Sequence, residues 1–214
     1  MIQDTLPRTT DRLVLRRFAA RDLAAFQSYR GDPEVGRYQG WTVQDDAGAA
    51  AFLAAMAEAR IGVPGEWFQI AVADRSTDAL IGDIGLGFAK VRAGVAEIGF
   101  SMAPSAQGRG LGAEAVRCAL ALLFESHDVD AVEGVTDGRN APSIRLLERV
   151  GMQLVRKQRG QADGAAGAES SSTLIELITT SSDGRSNRST EVAAMASTTS
   201  REAWSATSPK MVCL

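Results

Sequence analysis

Residues 96–113 read AEIGFSMAPSAQGRGLGA. Apolar residues alternate with others as far as Met102, which predicts a strand, and a glycine-rich loop follows it. The apolar residues beyond Leu111 have helical spacing, so this loop opens a helix. Free backbone N–H groups at a helix start favour an anion, and glycines let a ligand approach the backbone closely. The pattern therefore predicts either a phosphate or pyrophosphate cradle, to which Arg109 adds a charge, or a flexible loop that only turns the chain.

The same glycines also fit the dinucleotide-binding fingerprint, with an aspartate, Asp130, about twenty residues beyond Gly110. Position argues against this interpretation, because the first glycine of the fingerprint follows its strand directly, whereas residues 103–107 intervene here. The loop is not a Walker A motif either, since no Gly-Lys-Ser/Thr follows.

Alternating patterns on both sides of this stretch predict a mixed α/β (α+β) fold. The predicted strands are Arg12–Phe18, Trp67–Ala73, Leu80–Phe88, Val95–Met102 and Ala131–Thr136. Helices are predicted around Leu23 and Phe26, after a Thr42 cap, over Leu111–Phe124, and from Pro142 to a stop at Gly151.

Composition excludes several classes of protein. The 214 residues are 45% hydrophobic and 23% charged, which suits a globular core. No apolar run approaches the ~20 residues of a membrane span, and no secretory signal is recognisable, so a cytoplasmic location is expected. A net charge of −3 predicts no binding to nucleic acid or to anionic membranes. Two cysteines and one histidine make a disulfide framework or a metal site unexpected.

Four motifs together resemble the GCN5-related N-acetyltransferase (GNAT) superfamily. The stretch Gln107–Gly112 is similar to the family's acyl-CoA loop, Q/R-x-x-G-x-G/A. Ala96–Phe100 resembles its fourth strand, and Asn140–Met152 resembles the helix after its fifth. Near the N-terminus, Thr10–Arg16 and Asp32–Tyr38 resemble the Rim-type branch of ribosomal-protein and peptide N-terminal acetyltransferases. The resemblance covers about residues 8–158.

The resemblance implies a mixed, mostly antiparallel sheet with splayed fourth and fifth strands, flanked by helices, and acetyl-CoA as acyl donor without a metal. The pantetheine arm would lie between the splayed strands and pair with backbone around Ser101, Met102 and Ala103, with Asn140 on its other side. The thioester carbonyl would meet a backbone N–H near Met102. Backbone groups of the loop would hold the CoA pyrophosphate, namely those of Gln107, Gly108, Arg109, Gly110, Leu111, Gly112 and Ala113.

Catalytic roles are also implied by the resemblance. Glu97 aligns with the strand glutamate that is the general base of histone-acetylating members. The alternative is that Glu97 faces solvent or pairs with an arginine. Related enzymes often deprotonate the amine through water, without a single essential base. Many members protonate the leaving thiolate with a tyrosine, but Leu147 stands at that position. Ser143 could hydrogen-bond the thiolate instead, or only satisfy a backbone group of its helix.

Several other residues carry weaker signals. Trp41, Glu66, Trp67 and Phe68 lie where the family places its acceptor site, although such aromatic residues are also typical of a core. His127 is expected at the surface, near the end of a helix. Cys118 falls beside the apolar stripe of its helix and is expected to be an inert core thiol.

The sequence predicts an acetyltransferase domain over residues 8–158 and an atypical Ser/Thr/Ala-rich tail over 159–214, weakly ordered apart from a possible strand at 173–178. A natural tail or out-of-frame translation of a GC-rich gene would explain this composition. The expected function is acetyl transfer to a primary amine of a protein or peptide N-terminus, an amino acid or a small molecule, by a monomer or homodimer. The alternative is a non-catalytic acyl-CoA-binding module.

Overall fold

The computed structural model describes residues 6–39, 41, 43–90, 94–125, 129–159 and 173–180. Its strands are β1 (Arg8–Thr9), β2 (Leu13–Arg16), β3 (Trp67–Asp74), β4 (Leu80–Phe88), β5 (Val95–Met102), β6 (Ala131–Asp137), β7 (Gln153–Arg159) and β8 (Thr173–Thr180). Its helices are α1 (Leu23–Arg30), α2 (Pro33–Gly36), α3 (Asp46–Glu58), α4 (Leu111–Glu125) and α5 (Ala141–Arg149), with single 3₁₀ turns at Ala20–Asp22 and Pro104–Ala106. The predicted mixed fold is confirmed.

All eight described strands form one sheet, in the order β1-β2-β3-β4-β5-β6-β8-β7. Every described pairing is antiparallel except that of β5 with β6, which is parallel. This parallel register runs from Val95↔Ala131 to Ile98↔Gly134 and stops there, although β5 continues to Met102 and β6 to Asp137. Strands β5 and β6 correspond to the family's fourth and fifth strands, so the expected splay is confirmed. It opens a cleft between the carboxyl ends of these two strands.

Helices α4 and α5 cover one face of the sheet. The predicted apolar stripe of α4 is buried there: Val116 and Ala119 are 0% exposed, as are Ile98 and Ile84 of the sheet beneath them. Helix α4 therefore leads away from the loop at the end of β5 along the buried face, and its amino end is fixed beside the cleft.

Helices α1 and α3 cover the other face, around a smaller cluster that includes Phe26 and Leu53. Helix α3 begins later than the sequence suggests. Asp45 is its N-cap, with its carboxylate accepting the Gly48 N–H at 2.8 Å, whereas the predicted cap Thr42 lies outside the described residues. The carboxylate gives the first turn a charged acceptor, which suits the positive end of the helix.

The strand candidate 173–178 lies within β8, which is inserted between β6 and β7. Seven residue pairs join it to β6, from Ala131↔Thr180 to Asp137↔Leu174. The sheet thus continues past the boundary that the sequence suggests at residue 158. Residues 160–172 and 181–214, together with His127, lie outside the described residues. None of the described helices is long and apolar enough to cross a membrane.

Candidate acyl-CoA site

The loop between β5 and α4 needs two glycines in left-handed backbone conformations. Gly108 has a φ of +70° and Gly110 a φ of +76°, values that residues with side chains rarely adopt. An added Cβ at Gly108 would meet no atom within 4 Å, so this part of the loop faces open space. Helix α4 starts at Leu111, and the N–H groups of its first turn have no partner within the helix. The loop and helix start can therefore receive an anion.

Gln107 holds the loop against the strand from which it emerges. Its Nε2 donates to the carbonyl of Met102 at 3.0 Å. Arg109 is exposed beside Gly110, whereas Leu111 and Ala113 are each 3% exposed in the core. Among the predicted loop residues, Leu111 and Ala113 can thus offer only backbone groups to a ligand.

Gly112 has a packing role in addition to its place in the loop motif. A Cβ at this position would lie 2.8 Å from Cδ1 of Leu146 on α5 and 3.5 Å from Cγ of Met102. The missing side chain therefore lets α4 and α5 approach each other beside the end of β5. The sequence pattern attributed this glycine to close approach of a ligand; contact between helices also requires it.

The register decides which backbone groups of β5 face the cleft. The N–H of Ala103 donates to the carbonyl of Ile81 at 2.9 Å. Because the direction of backbone groups alternates along a strand, those of Ser101 face β4 as well, while those of Phe100 and Met102 face β6. These two residues lie beyond the last β5–β6 pair, so they edge the cleft. The sequence analysis named Ser101, Met102 and Ala103 for this edge and did not name Phe100.

Asn140 and Ser143 lie across the cleft, at the start of α5. Asn140 is the N-cap, 2% exposed, and its Oδ1 accepts the N–H of Ser143 at 3.3 Å. Ser143 is 0% exposed, and its Oγ has no hydrogen-bond partner within the described part of the chain. Because a buried hydroxyl without a partner is costly, this group is a candidate to meet a ligand atom in the cleft.

Glu97 lies on the face of β5 away from α4. It is flanked by Gly87 on β4 and by Glu133 on β6, its parallel register partner. Glu133 is 3% exposed, whereas Glu97 is half-buried and therefore more accessible. Two carboxylates thus lie side by side near the base of the cleft. The period-two pattern of β6, with Val132 in the core, could have indicated Glu133 from sequence.

The four candidate acceptor-site residues fall in different places. Phe68 is 1% exposed and belongs to the main core, which agrees with the alternative that it is a core residue. Trp67 is half-buried on the same face as Glu97, two strands away, because it pairs with Gly87. Glu66 is exposed just before β3, and Trp41 packs against the α1–α3 cluster.

A buried polar cluster that the sequence did not suggest lies beside Ser101. Its cross-strand neighbour Asp83, 0% exposed, accepts a hydrogen bond from the Tyr29 hydroxyl and is bound by Arg30 at 2.9 Å. The Arg30 guanidinium lies 3.8 Å from the centre of the Trp41 ring. Burial raises the pKa of Tyr29 well above its usual value, and the Asp83 charge adds to the increase. This cluster fixes α1 and the Trp41 segment over the sheet.

Two further residues, Leu147 and Cys118, belong to the main core or pack against it. Leu147, 0% exposed, packs under Gly134, where an added Cβ would lie 3.0 Å from its Cδ1. Cys118 is half-buried against the main core, and burial raises the pKa of its thiol, as expected of an inert cysteine. No group of His, Cys, Asp and Glu within the described ranges could hold a metal ion.

The sequence of this chain is similar to those of known acetyltransferases. A family model described as an acetyltransferase (GNAT) domain matches residues 12–153. The uncharacterised N-acetyltransferase p20 of Bacillus licheniformis is 29% identical over 144 residues, which are 67% of this chain and 80% of that protein.

Two solved structures share the fold. A GNAT-family acetyltransferase from Bacillus anthracis has a TM-score of 0.69 at 19% identity, covering 82% of this chain and 98% of that one. RimJ of Mycobacterium smegmatis, in complex with CoA-disulfide, has a TM-score of 0.63 at 19% identity, covering 86% of this chain and 89% of that one.

Proposed function

This chain belongs to the GNAT acetyltransferase family, and on that premise we propose that it transfers the acetyl group of acetyl-CoA to a primary amine in a ternary complex. The acceptor classes proposed are a protein or peptide N-terminus, a free amino acid and a small-molecule amine. The N-terminal motifs that resemble the Rim-type branch favour the first of these. We place this activity in the cytoplasm, in a monomer or homodimer, with no metal.

One observation carries the proposal: the β5–β6 pairing stops at Ile98↔Gly134, directly beside a glycine-rich loop that opens α4. A gap between two strands fits a linear chain with amide groups, because such a chain can pair with a strand edge as another strand does. The pantetheine arm of CoA has this chemistry, and its pyrophosphate would then reach the N–H groups of the loop. A nucleotide alone would need no such gap.

The backbone and side chains that edge the gap have separate roles in binding. The carbonyl and N–H of Phe100 pair with the arm, and Asn140 lies on the opposite side. The Met102 N–H donates to the thioester oxygen, where negative charge develops as the amine attacks. The Met102 carbonyl is already bonded to Gln107, which keeps this residue in place.

Proton transfer completes the reaction. An alkyl ammonium has a pKa of about 10, so it must lose a proton before its nitrogen can attack the carbonyl carbon. Glu97 accepts that proton, directly or through water. In the tetrahedral intermediate the attacking nitrogen carries one proton more than the amide product, and it gives that proton to water. The intermediate then collapses, the C–S bond breaks, and the CoA thiolate leaves with Ser143 as hydrogen-bond donor. The amine nitrogen is now acylated, and the thiolate takes up a proton from solvent.

Two measurements test the proposal in order. Acetyl-CoA should raise the melting temperature, since a ligand that binds only the native state stabilises it, and NAD or ATP should raise it much less. A panel of amines should then be screened for release of free CoA thiol from acetyl-CoA. A larger thermal shift with NAD than with acetyl-CoA would contradict acyl-CoA binding. Binding of acetyl-CoA with no thiol release above hydrolysis for any amine would favour the non-catalytic binding module.

A further inference from the structure

The carboxylate of Glu114, in the first turn of α4, is bound by the N-terminal segment of the chain. Its Oε1 accepts the Thr10 hydroxyl at 2.6 Å and the Arg12 backbone N–H at 3.0 Å. Its Oε2 accepts the Arg12 Nε at 2.7 Å and forms a salt bridge with the same guanidinium at 2.6 Å. Glu114 is 17% exposed in its side chain, so these contacts are partly shielded from water. About a hundred residues of sequence separate the two segments.

The same arginine reaches the glycine-rich loop. Arg12 donates from Nη1 to the carbonyl of Arg109 at 3.0 Å, and its Nη2 lies 3.7 Å from where a Cβ of Gly110 would be. The loop carbonyl is thereby directed toward Arg12. A carbonyl facing a bound pyrophosphate would repel it, so this bond removes an unfavourable group from the anion site.

Glu114 itself needs neutralising. A carboxylate in the first turn of a helix interacts favourably with the helix dipole. The same carboxylate would, however, repel an anion bound at that helix start. The hydrogen bonds from Thr10 and Arg12 outweigh the effect of burial and lower the pKa of Glu114, which therefore stays charged. The charge of Arg12 offsets this carboxylate at the place where an anion would bind.

Resting on the proposed function, we propose that Thr10, Arg12 and Glu114 form a positioning brace for the CoA pyrophosphate. The brace holds the loop with the Arg109 carbonyl turned away from the ligand, and Arg12 cancels the Glu114 charge. Arg12 is a positioning residue here, acting on CoA affinity through the loop and through Glu114.

A double-mutant cycle on CoA affinity tests the brace. The dissociation constant for CoA is measured by calorimetry, at one ionic strength, for the wild type, Arg12→Gln, Glu114→Gln and the double variant. We expect Arg12→Gln to weaken binding roughly tenfold or more, because it leaves an uncompensated carboxylate and frees the loop. The double variant should regain most of that loss. Arg21→Gln is the matched control, since Arg21 is 63% exposed and pairs with Asp78 of the β3–β4 turn instead of with Glu114.

Three results would overturn the brace. They are an unchanged CoA affinity in Arg12→Gln, a double variant no better than Arg12→Gln, and a loss that disappears when dephospho-CoA replaces CoA. The last two would mean direct contact of Arg12 with the ligand. In steady-state assays, the brace predicts a raised KM for acetyl-CoA with kcat nearly unchanged, which a general loss of folded protein would not produce. Failure of the wild type to bind CoA would overturn the proposed function, and the brace with it.

Discussion

Glu97 and Glu133 are direct register partners across the one parallel strand pair of the described sheet, so their carboxylates leave the same face side by side. The two differ in accessibility: Glu133 is 3% exposed and Glu97 is half-buried. Of the two, Glu97 is the one that an acceptor amine or a water molecule can reach. This difference makes Glu133 a natural control for the role proposed for Glu97.

Glu97→Gln keeps the shape of the side chain and removes its capacity to accept a proton. General-base catalysis typically contributes ~10²–10⁴-fold, so kcat should fall by about that much while the Kd for CoA stays near the wild-type value. The acidic limb of the pH–rate profile should flatten, and higher pH should partly restore the rate by supplying free amine. Glu133→Gln should lower kcat far less. A wild-type kcat and pH profile in Glu97→Gln would assign deprotonation to water.

Gly110→Asp tests the phosphate cradle. The φ of +76° at this position disfavours any side chain, but Asp and Asn tolerate it better than most residues. Gly110→Asn therefore reproduces the backbone strain without the charge. We expect Asp to weaken CoA binding about tenfold or more beyond Asn, because it adds a negative charge where the pyrophosphate would lie. Equal CoA affinities for the two variants would indicate that the loop does not contact the phosphates.

Local patterns predicted the elements around the cleft closely. The bounds of β4 and β5 agree with the sequence prediction, and α4 differs by one residue at its end, because alternation and helical spacing are strong in apolar segments. The loop glycines followed from spacing as well, whereas the role of Asn140 as the N-cap of α5 was not predicted.

Long-range contacts were outside the reach of local patterns. Nothing near Glu114 in the sequence indicates Thr10 or Arg12 as partners, since a glutamate on a helix usually faces solvent. The insertion of β8 between β6 and β7 is a choice of sheet order, which the composition of a strand does not encode. Whether Phe100 or Ser101 directs its backbone groups toward β6 depends on hydrogen-bond register, which alternation of side chains alone does not give.

Ser143→Ala should separate catalysis from stability. The Ser143 hydroxyl is buried without a hydrogen-bond partner in the described structure, so its removal should change the free energy of unfolding by less than about 1 kcal/mol. If it donates to the leaving thiolate, kcat should fall up to about tenfold, a loss typical of one neutral hydrogen bond.

Ser101→Ala is the matched control for Ser143→Ala. Its hydroxyl is also buried without a partner among the described residues, but it lies on the opposite face of the sheet from α5. Its kcat should stay near the wild-type value. Equal kcat values for the two alanine variants would remove Ser143 from the reaction.

Truncation tests how far the folded domain extends. A chain ending after Thr180 keeps β8, whereas one ending after Gln158 exposes the edges of β6 and β7 that β8 pairs with. We expect the longer form to melt within a few degrees of the full chain and to retain CoA binding. The shorter form should lose cooperative unfolding in a urea titration monitored by circular dichroism. A shorter form as stable as the full chain would place β8 outside the cooperative unit.

We expect Tyr29 to set an alkaline limit to the stability of the protein. Its pKa is raised well above the usual value of about 10 in the folded state, so the fold favours the protonated phenol. The stabilisation is complete below pH 10 and is lost as pH rises from there through the folded pKa. Urea unfolding between pH 8 and pH 11 should show a free energy of unfolding that declines above pH 10.

Tyr29→Phe separates this titration from other alkaline effects. It leaves the buried Asp83 carboxylate without the Tyr29 donor, so the free energy of unfolding at pH 8 should fall by about 1–3 kcal/mol. The decline above pH 10 should become shallower, because the titrating phenol is gone. Tyr38→Phe, at a half-buried residue outside the Asp83 cluster, should change neither quantity. An identical alkaline slope in Tyr29→Phe and the wild type would show that Tyr29 does not set the limit.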